Sequence, residues 1–188
     1  MTGTILLTHG AGSNKDSPLL VSLDKAFTEA GLSVVRFNLP YRQKRATGPP
    51  MRGSAELDRA GLMEAVAALR AEKEGPVFLG GHSYGGRQST ILASEQPTLA
   101  DGLLLLSYPL HPPRKPQELR TAHFPKLRTK SLFIHGTRDP FGSIDEMETA
   151  LQLIPAEHQL VPMERAGHEL KNAGIVVPAF LAFFAGLH

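Results

Sequence analysis

The sequence predicts an α/β fold, a three-layer αβα sandwich on a mostly parallel sheet of about six strands. Three observations predict it. Short apolar runs alternate with segments of helical period, the pattern left by strands joined through crossover helices. Most of those runs are continuously apolar, as strands buried on both faces are. At 188 residues, with 41% hydrophobic and 20% charged side chains and no repeat or low-complexity tract, the chain suits one domain over 1–188 with a sizeable core.

The first strand is read at 4–8 (TILLT), followed by a helix whose core stripe is Leu19, Leu20, Leu23, Phe27 and Ala30. A second strand is read at 33–37 (SVVRF). Leu62, Ala65, Val66 and Leu69 mark the buried face of the next helix, ahead of a strand at 76–80 (PVFLG). The runs 102–107 (GLLLLS) and 131–136 (SLFIHG) are the fourth and fifth strands. Ser143 and Glu146 then form an S-x-x-E capping box, which starts a helix carrying Met147, Ala150, Leu151 and Ile154. The sixth strand is 158–163 (HQLVPM), and the run 175–187 (IVVPAFLAFFAGL) reads as a buried C-terminal helix. That run has thirteen residues and a proline, short of the ~20 apolar residues a bilayer span needs. Right-handed crossovers gather the loops that follow the strands at one sheet edge, where open α/β sheets bind their ligands.

Composition excludes several classes of function. With no cysteine there is no disulfide framework, no thiol nucleophile and no thiolate metal site. A formal net charge of +2 is too slight to indicate nucleic-acid binding. No H-E-x-x-H or comparable cluster points to a metal, since His168-Glu169 lacks a second histidine. The opening MTGTILLTHG has neither a basic region nor an apolar stretch of signal-peptide length, so a cytoplasmic protein is expected.

Between the strand at 76–80 and a predicted helix stands Gly81-His82-Ser83-Tyr84-Gly85, a Gly-x-Ser-x-Gly. A sharp strand-to-helix turn there lifts a serine hydroxyl clear of the sheet edge, and the flanking glycines prevent clashes. A phosphate-cradling loop is the competing reading, but its Gly-Lys-Ser/Thr ending is missing and the GxGxxG spacing fails. Ser83 is therefore the candidate nucleophile, with the Tyr84 N–H at the helix start as one oxyanion donor. A serine needs an imidazole to take its proton, and the imidazole needs an orienting carboxylate.

Asp139 follows the fifth strand and His168 lies in the loop after the sixth, both at the required edge. Among rivals, Asp101 precedes a strand, Asp145 and Glu146 look like helix-start charges, and Glu164 stays open as an alternative. Asp139 also has a bland reading as an Asx turn before Pro140. Of the eight histidines, His158 enters its strand at the wrong edge and His188 is terminal. His82 is expected to be turned away from the site by the strand pleat, while His111 and His123 remain open as loop residues. In the first loop, His9-Gly10-Ala11-Gly12 offers the Ala11 N–H as a second oxyanion donor.

The segments HGAG (9–12), GGHSYGGR (80–87), SYPLHPP (107–113), HGTRDPFG (135–142) and GHELK (167–171) together carry a resemblance. The chain resembles the α/β-hydrolase superfamily along essentially its whole length. It is most similar to the compact branch with dienelactone-hydrolase-like proteins and the testis-expressed and NSL-complex-subunit relatives. The resemblance implies Ser83 as nucleophile, Asp139 as acid and His168 as base, in the chain order of that superfamily. The chain departs from the wider superfamily in two ways: the sheet is expected to lack the first strands of the full eight-stranded fold, and 107–130 is too short for a large lid.

The function expected is a serine hydrolase cleaving small carboxylic esters or thioesters through an acyl-enzyme, with no cofactor. The alternative is a catalytically silent interaction domain, since relatives occur in chromatin complexes and fold does not dictate function. Two basic stretches, 41–52 and 111–130, follow strands and are expected to overhang the site, where their cations would draw an anionic substrate.

Overall fold

A computed structural model describes residues 2–171 and 174–187, which leaves His188 outside the described residues. The chain runs β1 (Thr4–Thr8), α1 (Pro18–Glu29), β2 (Ser33–Phe37), α2 (Pro40–Lys44), α3 (Ser54–Glu72), β3 (Val77–His82), α4 (Tyr84–Glu95) and β4 (Gly102–Leu106). A 3-10 turn (Phe124–Lys126), β5 (Ser131–Gly136), α5 (Ile144–Leu151), β6 (His158–Met163) and α6 (Val176–Phe183) follow. The sheet order is β2-β1-β3-β4-β5-β6, and every pairing is parallel.

The strands form where the apolar runs predict them, with two adjustments. β3 starts one residue later than expected and continues through Gly81 to His82, and β4 stops at Leu106. Alternation along each strand divides the core between the two faces of the sheet. Ile5, Leu7, Phe78, Leu104 and Ile134 meet Leu20, Leu23 and Phe27 of α1 and Val176 and Phe180 of α6. On the other face Leu6, Leu79, Leu105 and Phe133 meet Leu62 and Val66 of α3, Leu92 of α4 and Met147 of α5. The result is the three-layer sandwich. At the start of α5 the capping box forms as expected, the Glu146 N–H donating to Ser143 Oγ at 3.2 Å and the Ser143 N–H to Glu146 Oε2 at 2.8 Å.

α2 was not expected. Pro40 at its first turn presets the helical φ, so part of the basic stretch 41–52 is helical rather than an overhanging loop. The segment 107–130 holds only the 3-10 turn among the described residues, and no described helix is long and apolar enough to cross a membrane.

Strand order decides where the site lies. From β1 the chain steps outward to β2, then returns past β1 to β3 and runs on to β6. The carboxyl ends of β1 and β3 therefore flank a reversal in strand order, the position where loops diverge and leave a crevice.

Candidate active site

Ser83 sits in that crevice, between the last residue of β3 and the first of α4. Its backbone is in an unusual region, φ 51° and ψ −114°, and its N–H is fastened to the Leu106 carbonyl at 2.8 Å. Such a turn requires close backbone approach. A Cβ on Gly85 would stand 2.7 Å from the His9 carbonyl oxygen and 2.7 Å from Thr8 Cγ2, so only glycine lets α4 begin against the end of β1.

Three side chains from three loops meet here. His168 Nδ1–H donates to Asp139 Oδ2 at 2.8 Å, with Oδ1 at 3.0 Å, which leaves Nε2 as the acceptor for the Ser83 hydroxyl at 2.7 Å. The Asp139 carboxylate is fully buried and Oδ1 also accepts the Phe141 N–H at 2.9 Å, so the Asx turn and the contact with His168 coexist. Burial alone would raise its pKa. The hydrogen bond and charge of His168, and the Phe141 amide, outweigh that and hold the carboxyl below its ordinary range. The open alternatives do not join the line. Glu164 is exposed, His111 bonds the Pro112 carbonyl at 2.8 Å, and His123 bonds Thr90 Oγ1 at 2.8 Å.

The β1 loop is braced from behind. His9 is fully buried, and burial pushes its pKa down to about 4, so the ring is neutral. Its Nε2 accepts the Leu39 N–H at 3.2 Å, so the proton is on Nδ1 and donates to the Gly10 carbonyl at 2.9 Å. The Tyr41 hydroxyl bonds the Gly10 and Ala11 carbonyls at 3.2 and 2.7 Å. In a trans peptide the C=O and N–H point opposite ways, so drawing the Gly10 oxygen toward His9 and Tyr41 turns the Ala11 N–H away from them. Among the described residues neither the Ala11 nor the Tyr84 N–H has an acceptor within the chain.

Four participants escaped the sequence reading. His82 was expected to face away. It does lie on the α1 face of the sheet, but the segment after β6 folds over that face, and His82 Nε2–H donates to the His168 carbonyl at 2.8 Å. Phe141 covers the His168 ring, with centroids 4.2 Å apart and planes at 31°. Asp58, fully buried, accepts the Tyr84 hydroxyl at 2.7 Å and the Tyr41 N–H at 2.9 Å. Its place one helical turn ahead of Leu62, in phase with the core stripe, was the available signal. Arg42 is buried, and its guanidinium serves the carbonyls of Ser13 (2.7 Å), Arg45 (3.0 Å) and Gly48 (2.7 Å).

A cleft of about 490 Å³ opens over this group, lined by Gly10 to Ser13, His82, Ser83, Phe141, His168 and Glu169. No set of three or more His, Cys, Asp or Glu side chains that could hold a metal ion occurs among the described residues.

The model of a family described as "Alpha/beta hydrolase domain" matches residues 1–175. Solved structures share the architecture. A dienelactone hydrolase from Anabaena variabilis superposes with a TM-score of 0.76 at 24% identity, over 97% of this chain and 84% of that one. An alpha-beta serine hydrolase homologue from Coxiella burnetii gives 0.73 at 19% identity, over 98% and 85%. Est1E from Butyrivibrio proteoclasticus, bound to ferulic acid, gives 0.79 at 14% identity, over 98% and 89%. At these identities the likeness is one of fold.

Proposed function

Because the chain belongs to the alpha/beta-hydrolase family, we propose that it is a serine hydrolase. As one unit over 1–188, it would cleave carboxylic esters or thioesters with Ser83 as nucleophile, His168 as base and Asp139 as orienting acid. The observation that carries the reading is the hydrogen-bonded line from Asp139 Oδ2 through His168 to Ser83 Oγ, 2.8 and 2.7 Å. Neighbours of the same fold named as a dienelactone hydrolase and as Est1E with bound ferulic acid support a carbonyl substrate.

In this mechanism Ser83 Oγ attacks the carbonyl carbon while its proton passes to His168 Nε2. The imidazolium so formed is stabilised by the buried Asp139 carboxylate. The tetrahedral oxyanion is received by the Ala11 and Tyr84 N–H groups, each such donor being worth about 3–4 kcal/mol of barrier. Collapse expels the alcohol or thiol, which takes the proton from Nε2–H and leaves Ser83 acylated. Water then repeats the sequence with His168 as base and releases the acid.

The proposal is tested by a fluorophosphonate probe. Stoichiometric labelling of the protein, lost in Ser83→Ala, is the expected result; a silent interaction domain would take up no label in either form.

A further inference from the structure

The helix that begins at Ser83 carries a cation without a counter-ion. Arg87 lies one turn along α4, and its N–H donates to the Ser83 carbonyl at 3.0 Å. Its Nε is buried with no acceptor, and its guanidinium makes no ion pair and no side-chain hydrogen bond among the described residues. Next to it Gln88 Nε2 is also buried with no acceptor. Donors on two consecutive residues are thus desolvated without an acceptor, which is costly for each.

Two further arginines lie near Arg87, while the buried Asp58 carboxylate close by is taken by the Tyr84 hydroxyl and the Tyr41 N–H. Arg59 of α3 reaches α4 through Gln88 Oε1 at 3.1 Å, and its carboxylate neighbour Glu95 is half exposed and 3.8 Å away. Arg120, in the loop after β4, bonds the Pro109 carbonyl at 3.2 Å, while nearby Glu118 is taken by Lys115 at 2.8 Å. His123 from the same loop rests on Thr90 of α4. Burial, then the charges of Arg87 and Arg59, lower the pKa of His123 to about 4, which fits a positive local field.

This cluster revises the expectation for the basic stretches 41–52 and 111–130. Arg42 is committed to backbone carbonyls, Lys115 to Glu118, and Lys130 to Glu157 at 2.9 Å, beside the start of β5 at the opposite edge of the sheet. Arg120 and His123 lie beside α4, joined by Arg59 and Arg87 from outside those stretches. Their side of Ser83 is also distinct. The cleft adjoins Ser17 to Leu19 at the start of α1 and carries Glu169, whereas α4 packs with α3 on the other face of the sheet.

We propose that Arg87, flanked by Arg59 and Arg120, forms an anion subsite beside Ser83 that receives a carboxylate or phosphate group of the substrate, on the side away from Glu169. The link to turnover rests on the serine-hydrolase reading; the binding itself does not.

The experiment has two arms. In the first, melting temperatures are measured with inorganic phosphate, with succinate and with chloride at matched ionic strength. Phosphate or succinate is expected to stabilise the wild type and Ser83→Ala beyond the chloride control, and Arg87→Gln to abolish the excess. The more effective anion identifies the group. In the second, kcat/KM is compared for mono-p-nitrophenyl succinate and p-nitrophenyl butyrate. The anionic-to-neutral ratio is expected to fall about tenfold in Arg87→Gln and less in Arg87→Lys, the loss of one charged hydrogen bond. Should Arg87→Gln fail to fold, Arg120→Gln on its loop is expected to reduce both readings. An equal anion shift in wild type and variant, or an unchanged ratio with turnover still dependent on Ser83, overturns the subsite and leaves the hydrolase standing. If neither ester is turned over, the hydrolase reading fails and the melting arm alone decides the subsite.

Discussion

Two neighbouring strands end alike and come to different uses. β3 and β4 lie side by side, and each is followed by Ser-Tyr with the serine at positive φ, 51° for Ser83 and 48° for Ser107. Each serine N–H bonds a carbonyl of the next strand, Leu106 at 2.8 Å and Ile134 at 2.9 Å. Yet Ser83 Oγ meets an imidazole, while Ser107 is wholly buried and its Oγ has no partner. The residues that follow make the difference. Gly85 and Gly86 after Tyr84 let a helix start against β1, and Pro109 after Tyr108 sends the chain into an irregular loop. A strained serine at a sheet edge is thus insufficient; it must be carried into the crevice where strand order reverses.

The comparison can be broken most sharply by deleting both hydroxyls. Ser83→Ala is expected to lower kcat/KM for an activated ester by roughly 10⁴ to 10⁶, whereas Ser107→Ala should stay within about threefold; comparable losses would refute the distinction.

A second test concerns the loop that backs Ser83. The folded His9 has a pKa of about 4 against an ordinary 6.5, so below pH 6.5 the unfolded chain gains a proton that the fold does not. The contribution is intact above pH 6.5 and is lost between pH 6.5 and about 4, on the order of 3 kcal/mol. His9→Gln should flatten that part of the stability profile in denaturant titrations at successive pH values.

Next in size is Gly85→Ala, where a methyl against Thr8 and His9 should destabilise by about 1–3 kcal/mol and reduce turnover with it. Thermal melts and ester kinetics on one preparation check both. Smallest is Ser107→Gly, which relieves the positive φ and removes the unpaired hydroxyl. A gain of about 1 kcal/mol is expected, read as a raised melting temperature.

What the sequence disclosed follows the same physical division. Apolar runs announced the four inner strands because strands buried on both faces are apolar throughout, the edge strands β2 and β6 showed only short apolar cores beside Arg36 and Gln159, and the Ser143–Glu146 box announced α5 because capping is local. Ser83, Asp139 and His168 could be nominated because each follows a strand at the same edge. His82 could not be placed, since pleat parity gives its face but not what folds over that face. Arg42 was one cation of a basic stretch and Asp58 drew no notice, and only the tertiary arrangement shows one holding loop carbonyls and the other joining Tyr41 to Tyr84. Nor does a charge run tell which cations are already spoken for.

The hydroxyl and the imidazole that meet at 2.7 Å are 85 positions apart along the chain. During synthesis, with the N-terminal part emerging first, the Ser83 turn and the Ala11 loop leave the ribosome well before the segment after β6. The proposed hydrolase would therefore be dormant while it is being made, unable to attack esters around it until that segment has emerged and closed over the sheet.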